Sequence, residues 1–217
     1  MKRDLVSLGS KTAKSGFENE DDVVSKFNDW KKDSDAQDWL IALEIVKYTK
    51  RLYDRQLISS SGGNISVRAD DNLMLITPSG TDKGNLHNED ICLADFDGNL
   101  ILRDNQSSNL KLSMESQMHI AVYKARPDVQ AIIHSHPIFA SAYSATQAKI
   151  NTHLTGEIYA VVGEPSYIEY ARMGSMQLAE LVGKSAADAN VLVLANHGVI
   201  AYGKDLFEAY NRTEIIE

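Results

Sequence analysis

The sequence predicts an α/β fold in which a mixed sheet carries helices on both of its faces. Short apolar stretches bounded by turn signals form hairpin-like pairs in the first half, and strands alternate with amphipathic stretches in the second half. The length of 217 residues suits one domain, and 43% hydrophobic with 24% charged residues is ordinary globular composition. We therefore expect a charged lead-in over residues 1–34, partly disordered or with a short helix, and one domain over 35–217.

The first expected element of the domain is a helix. Ser34 and Gln37 form a capping box, from which a helix runs to about Leu57. Its apolar residues are spaced as one stripe that we expect to be buried: Trp39, Leu43, Val46, Tyr53 and Leu57.

The remaining elements follow from turn signals and hydrophobic runs. A hairpin is indicated by the Asp-Gly-Asn turn at 97–99. Strands are expected at 64–68, 73–76, 91–94, 100–102, 131–134, 158–162, 191–195 and 199–202. Helices are expected at 115–125, which should stop near Pro127, at 137–148, at 169–187 and after a cap at Asp205.

Charge and cysteine content narrow the classes of partner. A net charge of −8 argues against duplex nucleic acid or an anionic membrane as partner, because both favour clustered Lys and Arg. Cys92 is the single cysteine, so an internal disulfide is excluded and a cytoplasmic location is expected. The sequence has no 18-residue apolar run and no signal-peptide core, so we expect neither a membrane span nor secretion.

Three histidines form the strongest chemical signal. His134 and His136 end a short apolar strand, where residues i and i+2 point to the same face about 6.8 Å apart. His197 follows a second apolar strand, and three imidazoles with an open position are typical of a catalytic zinc site. The alternative for His197 is that it only fills a turn beside Gly198. The other three histidines are interpreted as surface or core residues: His87, His119 and His153.

Two further features have both a functional and a plain structural interpretation. The glycine-containing turns at 62–66 and 77–80 can present backbone N–H groups to an anion, although hairpin turns alone would explain them. Glu115 begins a predicted helix, where it can serve as a general base beside a metal or simply stabilise the helix dipole.

These motifs occur together in one order. The chain resembles the class II (zinc-dependent) aldolase and adducin head family from roughly Trp39 to its C-terminus. The motifs that carry the resemblance are Gly-Gly-Asn-Ile-Ser at 62–66, Thr-Pro-Ser-Gly at 77–80, Ser-x-Glu at 113–115, Arg-Pro-Asp-Val at 126–129, His-Ser-His-Pro at 134–137 and Asn-His-Gly at 196–198. The resemblance implies a three-layer α/β/α fold with a central mixed, largely antiparallel sheet, assembled as a homotetramer with sites at subunit interfaces.

The resemblance also implies roles for individual residues. The metal ligands for one Zn²⁺ per chain match His134, His136 and His197, and the acid/base carboxylate matches Glu115. The positions that hold the substrate phosphate match Gly63, Asn64, Ser79, Gly80 and Ser113. The implied activity is retro-aldol cleavage of a small sugar phosphate, of the ketose 1-phosphate type, through a zinc-stabilised enediolate.

The sequence departs from the family pattern at three places. Met114 stands where many members have a second serine before the glutamate, and Thr155 stands where some sugar aldolases use a tyrosine. The chain also ends about 20 residues after His197, whereas aldolases of this family continue, so either the domain is truncated at its C-terminus or its site lacks that contribution.

The same motifs are compatible with other activities. The same fold and metal can serve an epimerase, a dehydratase or a decarboxylase acting on a related hydroxy-carbonyl compound. A non-catalytic adducin-like interaction module is a further alternative, and an unrelated zinc hydrolase is the last. The products separate these classes, because an aldolase yields two carbonyl fragments and an epimerase yields one isomer of equal mass.

Overall fold

The structure is a computed structural model that describes residues 34–103, 106–146 and 148–217. The expected lead-in lies outside the described residues except for Ser34, so that boundary stays a prediction. Residues Ile41–Glu217 form one compact unit. The preceding residues 34–40 are the first turns of helix α1.

Eight strands of the described chain form one sheet. They are β1 (Asn64–Arg68), β2 (Leu73–Ile76), β3 (Cys92–Asp95), β4 (Leu100–Ile101), β5 (Ala131–Ser135), β6 (Ser166–Ile168), β7 (Val191–Leu194) and β8 (Gly198–Gly203). Their order across the sheet is β4-β3-β2-β1-β5-β8-β7-β6. Only β6 and β7 pair in parallel, so the prediction of a mixed, largely antiparallel sheet is confirmed.

Helices cover both faces of this sheet. They are α1 (Ser34–Asp54), α2 (Ser116–Ala125), α3 (Ile138–Ser144), α4 (Gly156–Val162), α5 (Met176–Ser185) and α6 (Leu206–Ile216). Because side chains of a strand alternate between faces, Ile132 of β5 packs in the cluster with α2 and α5. Its neighbours Ala131 and Ile133 pack in the cluster with α1 and α6. The three-layer α/β/α architecture is therefore confirmed.

The strand expected at 158–162 is wrong, since these residues belong to helix α4. The side chain of Thr155 caps the helix by accepting from the Ile158 N–H, and Gly163 ends it at a φ of 70°. Within α4 only Val162 is fully buried, whereas a central strand would bury both of its faces. The β-branched and apolar composition of this stretch favoured the wrong element, and the real edge strand β6 follows it.

The stripe expected for α1 is correct at Leu57, which is buried, and Val46 and Tyr53 pack against the same core, but it is wrong at its first two residues. Trp39 and Leu43 are 50% and 44% exposed. The buried residues of the helix are Ala42, Ile45, Thr49 and Leu52. Thr49 tolerates burial because its hydroxyl donates to the Ile45 carbonyl oxygen over 2.7 Å.

Three helices are shorter than expected. Helix α1 ends at Asp54 rather than Leu57, because Gln56 adopts a left-handed φ of 59° that an α-helix cannot continue. Helix α3 covers 138–144 rather than 137–148, and α5 covers 176–185 rather than 169–187. The cap at Asp205 is confirmed, since its carboxylate accepts from the Glu208 N–H over 2.7 Å. Among the described residues, no helix combines the length and the apolar character that a membrane crossing requires.

Candidate active site

The sheet brings the three predicted histidines together. His134 lies near the end of β5, His136 follows that strand, and His197 lies in the turn between β7 and β8. Because β5 pairs antiparallel with β8, the end of β5 meets the beginning of β8. The Nε2 atoms of His134 and His136 are 3.0 Å apart. The ring of His197 has its centroid 4.7 Å from that of His134 and 5.4 Å from that of His136.

The protonation states of His134 and His136 suit metal binding. Nδ1 of His134 lies 3.0 Å from the Val199 carbonyl oxygen, and since that oxygen only accepts, Nδ1 carries the proton. Burial lowers the pKa of His134 to about 3, and burial also lowers the pKa of His136. Neutral His134 therefore presents the lone pair of Nε2 to its neighbours, which is the form of imidazole that coordinates metals.

Two glycines allow the chain to lie this close to the histidines. Gly63 has a φ of +78°, and a Cβ there would lie 3.0 Å from the His134 carbonyl oxygen. At Gly198 a Cβ would lie 2.5 Å from the Ser135 carbonyl oxygen and 2.6 Å from Cδ2 of His136. The glycine after His197 thus leaves the space that the ring of His136 occupies.

Glu115 places a buried carboxylate against the same three rings. It is the N-cap residue of α2 and is 6% exposed. Its Oε2 lies 3.3 Å from Nε2 of His134, and its Oε1 lies 3.2 Å from Nε2 of His197. Burial by itself raises the pKa of this carboxyl, but the adjacent His134 and His197 and the amide of Asn64 bring it below its ordinary value. We therefore treat Glu115 as ionised at neutral pH.

Asn64 binds this carboxylate and His119 binds Asn64, and the sequence analysis linked neither residue to Glu115. The side-chain amide of Asn64 donates from Nδ2 to Glu115 Oε2 over 2.8 Å. Nε2 of His119 lies 2.5 Å from Oδ1 of Asn64, and His119 is fully buried. The sequence alone indicates only a surface or core position for His119. Its place four residues after Glu115, on the same helix face, is the signal that could have linked the two.

The predicted phosphate-binding residues occupy three segments of the chain. Gly63 and Asn64 lie at the start of β1, next to His134 on β5. Ser79 and Gly80 lie in the turn after β2, and the Ser79 N–H donates to the Lys111 carbonyl oxygen over 2.9 Å. That bond places the turn beside the segment that leads to Ser113, whose hydroxyl accepts from the Glu115 N–H. The side-chain amide of Asn64 is bound to Glu115 and His119.

A buried lysine that the sequence did not indicate lies under the Ser79–Gly80 turn. Lys83 is 2% exposed, and its ammonium donates to the Pro78 carbonyl oxygen over 2.5 Å and to the Thr81 hydroxyl over 3.2 Å. Burial lowers the pKa of Lys83 to about 8. Its positive charge lies at the Ser79–Gly80 turn, where it favours an anion.

The donor set fits a divalent transition metal. Each of His134, His136 and His197 offers a nitrogen, and these atoms lie within 4.8 Å of one another. In the described part of the chain, Nε2 of His197 and Oε1 of Glu115 are buried polar atoms without a hydrogen-bond partner. Such orphaned atoms are costly to bury, and a cation among them would satisfy both. Three imidazoles are typical ligands of catalytic zinc.

Comparison with known proteins gives consistent matches. The model of the Class II Aldolase and Adducin N-terminal domain matches residues 43–217. An L-fuculose phosphate aldolase of Methanococcus maripaludis is 39% identical over 80% of this chain and 91% of that protein. A 3-oxo-tetronate 4-phosphate decarboxylase of Haemophilus influenzae is 34% identical over 80% of this chain and 81% of that protein. A solved structure of an L-fuculose 1-phosphate aldolase superimposes with a TM-score of 0.73 at 32% identity, over 81% of each chain.

Proposed function

This chain belongs to the class II aldolase and adducin family, and we propose that it is a metal-dependent aldolase, a carbon–carbon lyase that cleaves a small sugar phosphate. The observation that carries the proposal is the buried Glu115 carboxylate, set against three converging imidazoles. Such a cluster costs stability unless it binds a cation, so function rather than folding explains its presence.

The metal and the carboxylate divide the chemistry between them. His134, His136 and His197 would hold a divalent ion, for which we propose zinc, and a bound ion supplies Lewis-acid polarisation of the substrate carbonyl. Glu115 removes the proton from the carbon next to that carbonyl in the direction of bond formation, and returns it in cleavage. In cleavage that proton comes from the hydroxyl group that becomes an aldehyde and passes to the ionised Glu115 before the carbon receives it, so no proton is gained or lost.

The two oxygens of Glu115 differ in their contacts. Asn64 holds Oε2, whereas Oε1 faces Nε2 of His197 at 3.2 Å and accepts no hydrogen bond from the described residues. The buried position also excludes water, which would otherwise compete for the reactive carbon. We infer that Oε1 is the atom that exchanges the proton with substrate.

The substrate phosphate is assigned to the neighbouring glycine turns. We propose that Gly63, Ser79, Gly80 and Ser113 bind it through backbone N–H groups and hydroxyls, with Asn64 at the start of β1 completing the set. The buried charge of Lys83 supports this assignment, because it adds positive potential under the turn at Ser79. Fixing the phosphate there places the other end of a short sugar near Glu115.

Location and assembly are part of the same proposal. Cys92 is buried and free, which supports a reducing cytoplasm.

Large apolar side chains are exposed close to the metal ligands, and Ile138 and Phe139 are 61% and 67% exposed. An exposed apolar surface of this kind supports a homotetramer in which a neighbouring subunit covers the site.

Decarboxylation is the second candidate. It is favoured by the 34% identity to the Haemophilus influenzae 3-oxo-tetronate 4-phosphate decarboxylase and by Thr155, which serves as a helix cap where some aldolases have a tyrosine. Both reactions leave a negative charge next to a carbonyl group, so the same metal would suit either.

A product assay separates the candidates. The zinc-loaded protein is incubated with a panel of ketose 1-phosphates, including L-fuculose 1-phosphate, and with 3-oxo acid 4-phosphates. Release of a ketone phosphate and an aldehyde supports the aldolase, whereas carbon dioxide from the oxo acid identifies the decarboxylase. We expect Glu115→Gln to lower kcat by about 100-fold or more with metal content unchanged. Full turnover by Glu115→Gln would exclude the role of Glu115.

A further inference from the structure

We propose that His119 is a positioning residue for the reaction: through a one-way hydrogen-bonded chain it fixes the orientation of the Asn64 amide, and the amide holds Glu115. This inference rests on the proposed function for its catalytic consequence. The chain itself is a property of five buried side chains: Tyr123, Ser66, His119, Asn64 and Glu115.

The chain joins one face of a helix to one face of a strand. Glu115, His119 and Tyr123 are spaced four residues apart, so they lie in a row along α2 and its N-cap. Asn64 and Ser66 are spaced two apart, so both point from β1 toward that row. The hydrogen bonds therefore alternate between helix and strand.

The direction of every hydrogen bond follows from the orientation of the Asn64 amide. Nδ2 of Asn64 donates to Glu115 Oε2 over 2.8 Å. The amide oxygen of Asn64 then faces His119 and can only accept from Nε2 at 2.5 Å. His119 must therefore carry its proton on Nε2.

The same argument continues to the far end of the chain. Neutral His119 with its proton on Nε2 has an acceptor at Nδ1, so the Ser66 hydroxyl, 2.7 Å away, donates to it. The oxygen of Ser66 in turn accepts from the Tyr123 hydroxyl at 2.8 Å. Four donors thus point the same way and end on the carboxylate. Hydrogen bonds aligned in this manner strengthen one another in a dry interior.

Removing the donor of His119 would release the amide of Asn64. Without it, the two ends of the amide compete for Glu115, and one of the two orientations sets its oxygen against the carboxylate. The carboxylate would then leave the position from which Oε1 reaches the substrate carbon. The effect should fall mainly on the chemical step, because His119 contacts Asn64 only at its side-chain amide, whereas the pairing of β1 with β5 at His134 holds the backbone of Asn64 beside the phosphate-binding turns.

Kinetics of two variants test the proposal. In zinc-loaded protein we expect His119→Phe to lower kcat on the order of 10- to 100-fold, the usual cost of losing a supporting partner of a site, with KM changed less than about threefold. His119→Gln retains an N–H close to the position of Nε2 and should recover kcat to within about fivefold of the unchanged protein. His87→Phe is the matched control, since that side chain is 78% exposed.

A second readout does not depend on activity. Nitrogen NMR of the imidazoles in the folded protein should show His119 as the neutral tautomer protonated on Nε2, from about pH 6 to 8. The proposal is overturned if His119 carries its proton on Nδ1. It is equally overturned if His119→Gln, folded and with full metal content, is as slow as His119→Phe, or if both variants match the unchanged protein.

These experiments distinguish a failure of the proposed function from a failure of the hydrogen-bonded chain through His119. A protein that cleaves no sugar phosphate contradicts the proposed function, while the tautomer of His119 still decides the direction of the chain. If His119→Phe does not fold, His119→Gln and the tautomer decide the matter. The role of His119 is supported if its proton lies on Nε2, if His119→Phe lowers kcat with little change in KM, and if His119→Gln recovers kcat.

Discussion

The ring of His134 is held by a backbone group of the neighbouring strand: its Nδ1–H donates to the Val199 carbonyl oxygen over 3.0 Å. These residues are 65 positions apart, and the pairing of β5 with β8 brings them together. The bond fixes both the tautomer and the plane of the imidazole. Nε2 is consequently aimed at His136, and the metal predictions depend on this arrangement.

Metal content is the first prediction. Protein purified without added metal or a histidine tag should hold about one equivalent of a divalent transition metal per chain, because three imidazoles converge there. His134→Ala should lose that metal, whereas His153→Ala should keep it, since His153 is exposed and pairs with Glu164. Elemental analysis measures the content. A protein that takes up no zinc at micromolar concentration contradicts the site.

Gly198 gives a second prediction. Gly198→Ala should reduce zinc affinity and lower the free energy of unfolding by roughly 1–3 kcal/mol, since its Cβ would lie 2.6 Å from Cδ2 of His136 and the backbone must shift. Gly156→Ala is the matched control, because a Cβ there meets nothing within 4 Å. Urea unfolding and zinc titration compare the two variants. Equal behaviour of both would contradict the steric role.

Acid stability gives a third prediction, centred on His119. Burial lowers the pKa of His119 to about 4, from 6.5 in the unfolded chain, so the unfolded state binds more protons between these values. Its contribution to stability is complete above pH 6.5 and is lost as pH falls toward 4. At about 1.4 kcal/mol per pH unit, this loss amounts to about 3 kcal/mol.

Urea unfolding at several pH values checks this expectation. The free energy of unfolding of His119→Phe should fall less steeply between pH 6.5 and 4 than that of the unchanged protein. His87→Phe should leave the slope as it is, since the side chain of His87 is 78% exposed. Identical slopes for His119→Phe and the unchanged protein would show that His119 titrates normally in the folded state.

Phosphate recognition gives a fourth prediction. Ser79→Ala should raise KM for the phosphorylated substrate by about tenfold, the value of one hydrogen bond to a charged group, and leave kcat nearly unchanged. The turn is exposed enough for substrate to enter, since Ser79 is half-buried and Gly80 is exposed. Ser107→Ala, in an exposed loop, is the control. An equal KM for both variants would remove Ser79 from the phosphate site.

Strong local patterns predicted most of the fold. The bounds of β1 and β2 agree with the expected strands, and the hairpin at 97–99 is confirmed by the pairing of β3 with β4. The strand predicted at 158–162 is wrong. Its β-branched and aromatic residues favoured a strand, whereas the cap at Thr155 starts a helix. The buried stripe predicted for α1 is wrong at Trp39 and Leu43, because the helix turns a different set of residues inward: Ala42, Ile45, Thr49 and Leu52.

The sequence by itself determined the chemistry that is available. A two-residue spacing puts His134 and His136 on one side of a strand, and the order of the motifs indicates the family, because both depend only on neighbours along the chain. Tertiary structure alone decided which atoms meet. Asn64 reaches Glu115 across 51 positions, and His119 reaches Asn64 across 55. Such contacts depend on strand register and on how α2 packs over the sheet, and no local period of the sequence encodes either.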